Sequence, residues 1–169
     1  MTTRLTIPDP ALVLLIGPSG AGKTTFAAAH FKPLEIISSD ALRGMLADDP
    51  ADQGASADAF RILTLLVKGR LSRRRTTVVD ATNLRAASRA RYRQIAARHG
   101  VPVVAIAFDL ETARYHELNR GRSGRVVDDD VIERQADMLA SALAALPREG
   151  YSAVHVLRDG AAIEVVRNP

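Results

Sequence analysis

Residues 11–16 (ALVLLI) form an unbroken apolar run that stops at Gly17, and runs of the same kind recur along the chain. A short continuous run bounded by turn residues reads as a strand buried on both faces, as in a parallel sheet. Residues 34–38 lead to Asp40, 76–79 stop at Asp80 and 103–108 stop at Asp109; 153–157 make a fifth candidate and 163–166 a short extra strand. Between these runs the apolar spacing predicts helices over 23–30, 41–46, 55–73, 86–99, 112–120 and 130–146. Strands alternating with helices imply βαβ units, hence a central parallel sheet of about five strands flanked by helices. Ligands of such sheets collect at the carboxyl ends of the strands, the rim where the acids and the glycine loop stand. Two polar stretches interrupt the pattern: residues 48–56 (DDPADQGAS), and 121–130 (GRSGRVVDDD), which reads as a mobile flap. No repeat or linker divides the chain, so residues 1–169 are expected to form one domain with a lid over about 120–130.

Composition narrows the classes. Aromatics are 4% with no Trp, so the core is aliphatic and a nucleic-acid contact cannot rest on a stacking platform. The net charge of +4, mostly arginine, favours an anionic partner, with a generally arginine-rich composition an equal account and ATP alone sufficient. The absence of Cys excludes disulfides and cysteine zinc sites. Residues 1–10 lack a signal-peptide pattern and no apolar run could cross a membrane; the expected location is the cytoplasm, without a membrane partner. His30, His99, His116 and His155 show no metal-ligand spacing.

Residues 17–24 (GPSGAGKT) match G-x-x-x-x-G-K-[ST], with a strand before and a helix after. The glycines let successive N–H groups face one anion, and the helix N-terminus adds partial positive charge. The nucleotide-binding set is Gly17, Ser19, Gly20, Ala21, Gly22, Lys23, Thr24 and Thr25, the last chiefly a helix-packing residue. Lys23 is expected on the β- and γ-phosphates of ATP, and the Thr24 hydroxyl on Mg²⁺. The motif does not separate kinase from ATPase, and the absence of Asn-Lys-x-Asp disfavours a GTPase.

Carboxylates at the rim refine this. If the strand before Asp40 lies beside the first, that carboxylate comes near the γ-phosphate and can take an acceptor hydroxyl's proton; its alternative duty is helix N-capping. Arg43, one helical turn on, could hold an anionic group of the acceptor. Asp80 sits where a Walker-B-type acid binds Mg²⁺ directly or through water, or else orients Arg43. Thr82 and Asn83 could touch either substrate or serve the turn. In the flap, Arg120, Arg122 and Arg125 could stabilise phosphoryl charge as a closing lid, with Arg120 favoured by its place at a helix end and Arg134 weaker. Arg70, Arg73, Arg74 and Arg75 suit a helix C-terminus.

With these residues the chain resembles, over about 12–156, the 5′-OH polynucleotide kinase domain of bacterial RNA-repair proteins that join kinase, phosphatase and ligase modules. The resemblance rests on residues 17–24, on 25–33 (TFAAAHFKP), on Ser38-Ser39-Asp40 with Arg43, on Asp48-Asp49 and Asp52-Gln53, on 79–83 (VDATN) and on Asn119-Arg120-Gly-Arg122. It implies an ATP- and Mg²⁺-dependent kinase of RNA or DNA 5′-OH ends in nucleic-acid repair, with an adenylate-kinase-like fold. Asp40 would be general base, Arg43 would bind the phosphate 3′ of the terminal nucleoside, and Asp80 would be an essential acid. Gln53 and Asn83 would contact substrate, and Arg120 with Arg125 would be lid arginines on the donor phosphates. The lid departs from the family's Pro/Asp/Arg-rich run, which leaves the choice between Arg122 and Arg125 open. On this resemblance the chain would be either a free-standing kinase or one module beside phosphatase and ligase modules in the same or another chain. A zeta-toxin-like kinase of a metabolite, antibiotic or nucleotide sugar is the second hypothesis, and a non-enzymatic nucleotide-dependent binding module the third.

Overall fold

Apolar runs pair side by side because a buried backbone must satisfy every N–H and C=O within the protein. In the computed structural model, which describes residues 2–123, 125–158 and 162–169, the strands are β1 (Thr2–Pro8), β2 (Leu12–Ile16), β3 (Ile36–Ser38), β4 (Thr77–Asp80), β5 (Val103–Phe108), β6 (Ala153–Leu157) and β7 (Ala162–Asn168). The helices are α1 (Lys23–His30), α2 (Ser39–Ala47), α3 (Ser56–Leu71), α4 (Ala86–Arg98), α5 (Thr112–Arg120) and α6 (Asp129–Ala145). Met1 and Gly124 of the flap lie outside the described residues.

The main sheet is parallel throughout, in the order β3-β4-β2-β5-β6. Every residue of β2, β4 and β5 is buried, as their apolar composition requires of a sheet covered on both faces. The strand before Asp40, β3, is therefore not beside β2, the strand before the glycine loop: among the described residues β3 pairs with β4, which lies between them. That order places Asp80 opposite both Leu15 and Ser38, so two acid-bearing strand ends share one rim.

Residues 2–8, which carry no continuous apolar run, form β1 and pair in parallel with β7 as a second, two-stranded sheet. Only Leu5 and Ile7 of β1 are buried, an alternation too short to stand out from the polar N-terminus. Residues 33–35 form a 3-10 turn rather than strand, with Glu35 held by two hydrogen bonds from Arg167 of β7 at 2.9 and 2.6 Å.

Candidate active site

The turn from β2 into α1 passes through Gly20 (φ 80°) and Gly22 (φ 85°), a left-handed backbone that other residues adopt only under strain. At Gly20 a Cβ would also approach Cα and Cβ of Asn119 to 3.2 Å, so the loop is closely backed by α5. Lys23 folds over the loop: its Nζ donates to the carbonyls of Gly17 at 2.9 Å and Pro18 at 2.6 Å. Burial pushes the Lys23 ammonium down to about 8, with Asp80 and Asp40 pulling it back up and Arg122 adding to the fall. A buried cation at the mouth of an N–H-lined turn fits the phosphates of a nucleoside triphosphate.

Beside it the Thr24 hydroxyl donates to Asp80 Oδ2 at 2.8 Å. Asp80 is 4% exposed, and burial raises its carboxyl above the ordinary value, opposed by the Thr24 hydrogen bond and the Lys23 charge. A hydroxyl and a carboxylate in contact are the hard-oxygen pair between which Mg²⁺ fits. Among the described residues no three His, Cys, Asp or Glu form a metal-binding group, so such an ion would draw its remaining ligands from phosphates and water.

Across β4 stands Asp40. The N-cap of α2 is Ser38, whose Oγ accepts from the N–H of Ala41 at 3.3 Å, so the capping alternative for Asp40 does not apply. Asp40 is instead paired with Arg43, and its other oxygen lies 3.6 Å from Arg122 Nη2. The Arg43 side chain is 6% exposed and also donates to Pro50 O at 3.1 Å and Ser56 Oγ at 3.4 Å. It thus ties α2 to the 48–56 loop and the start of α3.

The flap arginines divide. Arg122 reaches Asp40, and Arg125 lies within the fields of Asp40, Arg43 and Arg122, with burial drawing its guanidinium below the ordinary value. Arg120 is exposed and forms no ion pair among the described residues, so Arg122 and Arg125, not Arg120, are the flap arginines brought to Asp40. Arg134 faces Asp130, 3.9 Å away on its own helix.

Three further residues expected at the substrate are placed as follows. Asn83 is buried at φ 50°, and its Nδ2 is turned inward, donating to Leu15 O at 2.7 Å, with Val79 O and Ala81 O at 3.3 and 3.4 Å. The carbonyl of Thr82, in turn, accepts from Gly17 N–H at 3.0 Å, so the 81–83 turn braces the phosphate loop. Gln53 is exposed, with Nε2 on Ala51 O at 3.1 Å.

Two residues at the site had no role assigned from the sequence. Gln135 of α6 accepts the Ser19 N–H at 2.7 Å, and Asn119 clamps the flap through Nδ2 to Val127 O at 2.7 Å and Oδ1 from Val127 N–H at 3.0 Å. Both are polar residues one turn from a buried apolar residue, Ile132 and Tyr115 respectively. For Gln135, which lies in no motif, that placement is the sequence signal that could have marked it; Asn119 stands in the Asn119-Arg120-Gly-Arg122 segment.

A parallel sheet with a glycine turn cradling a buried lysine, and a threonine–aspartate pair beside it, defines the P-loop nucleotide-binding class. A family model described as an AAA domain matches residues 12–146, and the chain belongs to that family. No curated protein sequence matches it. Among solved structures, a chain of the Pnkp1/Rnl/Hen1 RNA repair complex aligns with TM-score 0.67 at 20% identity, over 82% of this chain and 46% of that one. A gluconokinase from Sinorhizobium meliloti aligns with TM-score 0.53 at 21% identity, over 90% and 84%. Shikimate kinase from Acinetobacter baumannii gives 0.56 at 16% identity, over 90% and 87%. The shared property is the P-loop kinase fold.

Proposed function

We propose that the protein is an ATP-dependent kinase that transfers the γ-phosphate to the 5′-hydroxyl of an RNA or DNA end. The observation that carries this is the Asp40–Arg43 pair beside the phosphate loop. The Asp40 side chain is 37% exposed, whereas Arg43 is nearly buried and keeps a second N–H on each Nη. That combination suits an acceptor that brings a hydroxyl to the carboxylate and already carries an anion for the guanidinium.

As the acceptor oxygen bonds to the γ-phosphorus, the bond from that phosphorus to the β–γ bridging oxygen breaks, and the hydroxyl proton passes to Asp40. Lys23 and the loop N–H groups hold the donor, while Arg122 and Arg125 offset charge on the transferred group. Mg²⁺, held by Thr24 and Asp80, would supply further neutralisation of the phosphate oxygens.

The test is transfer of labelled γ-phosphate to a 5′-OH oligonucleotide. Wild-type protein is expected to label the end, and Asp40→Ala to lose about 10²- to 10⁴-fold in rate with ATP binding retained. Failure to label any RNA or DNA end would remove the polynucleotide reading. A second reading, a kinase of a small hydroxylated metabolite, is favoured by the fuller coverage of the gluconokinase and shikimate kinase chains. It would be tested by the same transfer to polyols and sugar acids.

A further inference from the structure

The net charge of +4 conceals a division. Residues 59–108 hold eleven of the chain's 23 lysines and arginines but one of its 19 acids, Asp80; the remaining residues, with twelve cations and eighteen acids, are net negative. This span is most of α3, with β4, α4 and β5.

Five of the eleven have partners within the protein. Arg89 is buried on Glu149, Arg93 donates to the Glu149 carbonyl, Arg70 donates to Thr76 O and Thr77 Oγ1, Arg73 donates to Gly69 O at 2.8 Å, and on the surface Arg61 faces Asp58 at 3.2 Å. Lys68, Arg91 and Arg98 are different. They are exposed, have no ion-pair partner among the described residues, and line a hollow of about 300 Å³ between α3 and α4.

Helical spacing explains the hollow. Thr64 and Lys68 stand one turn apart on α3, and Arg91, Gln94, Ile95 and Arg98 form a single stripe on α4. Ile95 is the buried floor and the walls are polar. The hollow adjoins a second one that adds Ser72 and His99, continuing toward the exposed Arg73, Arg74 and Arg75. It also has a fixed relation to the active site: Ser56, bonded to Arg43, opens α3, and Lys68 follows twelve residues later, ~18 Å along the axis.

We propose that this α3–α4 groove binds the phosphodiester backbone of a single-stranded nucleic acid whose 5′ end lies at Asp40. The inference rests on the polynucleotide reading above and adds where the strand's remote phosphates are held. Guanidinium groups match phosphate oxygens with paired N–H donors, and a concave groove lined by polar side chains over the buried Ile95 suits a strand. The scarcity of aromatics agrees with binding through phosphates rather than stacked bases.

The test is anisotropy of a fluorescent single strand of about 15 nucleotides, titrated across a salt series. The proteins are wild type, the triple variant Lys68→Glu/Arg91→Glu/Arg98→Glu, and the milder Arg91→Gln/Arg98→Gln, each checked for native circular dichroism. The triple variant is expected to bind at least about tenfold more weakly, with a log–log salt slope shallower by about two, as three lost single-strand contacts predict. KM for the oligonucleotide should rise, while kcat and KM for a nucleoside 3′-phosphate, too short to reach the groove, stay unchanged.

Unaltered binding and salt slope in both variants would overturn the groove, as would an equal loss with the nucleoside 3′-phosphate. Tighter wild-type binding to phosphatidylserine-rich vesicles, abolished by the same changes, would overturn it in favour of a membrane surface. The two proposals fail separately. Groove-dependent strand binding without phosphate transfer removes the activity alone; transfer with equal KM for short and long acceptors and silent variants removes the groove alone.

Discussion

The two sides of the candidate active site are built differently. On the donor side, Lys23 and Asp80 are 7% and 4% exposed, stand at the start of α1 and the end of the buried strand β4, and are held by Gly17, Pro18 and Thr24. On the acceptor side, Asp40 is half-exposed, Gln53 faces solvent, and Arg122 and Arg125 arrive on a flap. Donor groups cannot move without disturbing the sheet, whereas acceptor groups hang on a short helix and loops that substitution can remodel. The difference explains why a single glycine turn defines the class while the acceptor must be argued from the Asp40–Arg43 pair.

The largest effect should come from the donor side. Lys23→Ala is expected to reduce transfer at least ~10²-fold and to abolish measurable ATP binding, since it removes the cation that the loop is folded around. A variant that still bound ATP with wild-type affinity would break the contrast. The same lysine has a pH signature. Its protonated form binds phosphate and burial lowers its value to about 8, so calorimetric ATP affinity should be flat below that pH and fall above it. Lys23→Arg, charged throughout, should remove the fall.

Next in size is Asn83, the brace between β2 and β4. Asn83→Ala leaves carbonyls without their donor and puts Ala at φ 50°; denaturant unfolding should show a loss of about 2–3 kcal/mol. Asn83→Gly, which tolerates that φ, should lose about 1 kcal/mol less. Equal losses would mean that the backbone angle contributes nothing.

On the acceptor side, Arg122→Ala should lower kcat by ~10-fold or more, and Arg120→Ala should change it little. The reverse order would restore the helix-end arginine as the lid's working group. The smallest effect is expected at Gln135. Its Oε1 occupies the Ser19 N–H that an incoming phosphate needs, so Gln135→Ala should tighten ATP binding about fivefold. Weaker binding would make Gln135 a support for the donor site instead of a competitor.

The phosphate loop was legible because its chemistry is local: eight consecutive residues contain the turn, the cation and the hydroxyl. The six helices were legible for the same reason, each falling within a few residues of its apolar pattern. β1 was not, since two buried residues among polar ones give no period until β7 covers them. The bracing role of Asn83 was not legible, because an amide in a turn looks alike whether it faces a substrate or three carbonyls. The flap arginines are close in the chain, and only the fold selects which of them turn toward Asp40.

By itself, then, the order of residues determined the parallel sheet, the nucleotide cradle and the rim on which the acids stand, because each follows from periodicity or adjacent chemistry. Tertiary structure alone decided that β4 separates β3 from β2, that Arg122 of the flap reaches Asp40, and that cations from α3 and α4 meet across one groove. Those outcomes depend on which distant segments lie side by side, and long-range packing leaves no mark on neighbouring residues.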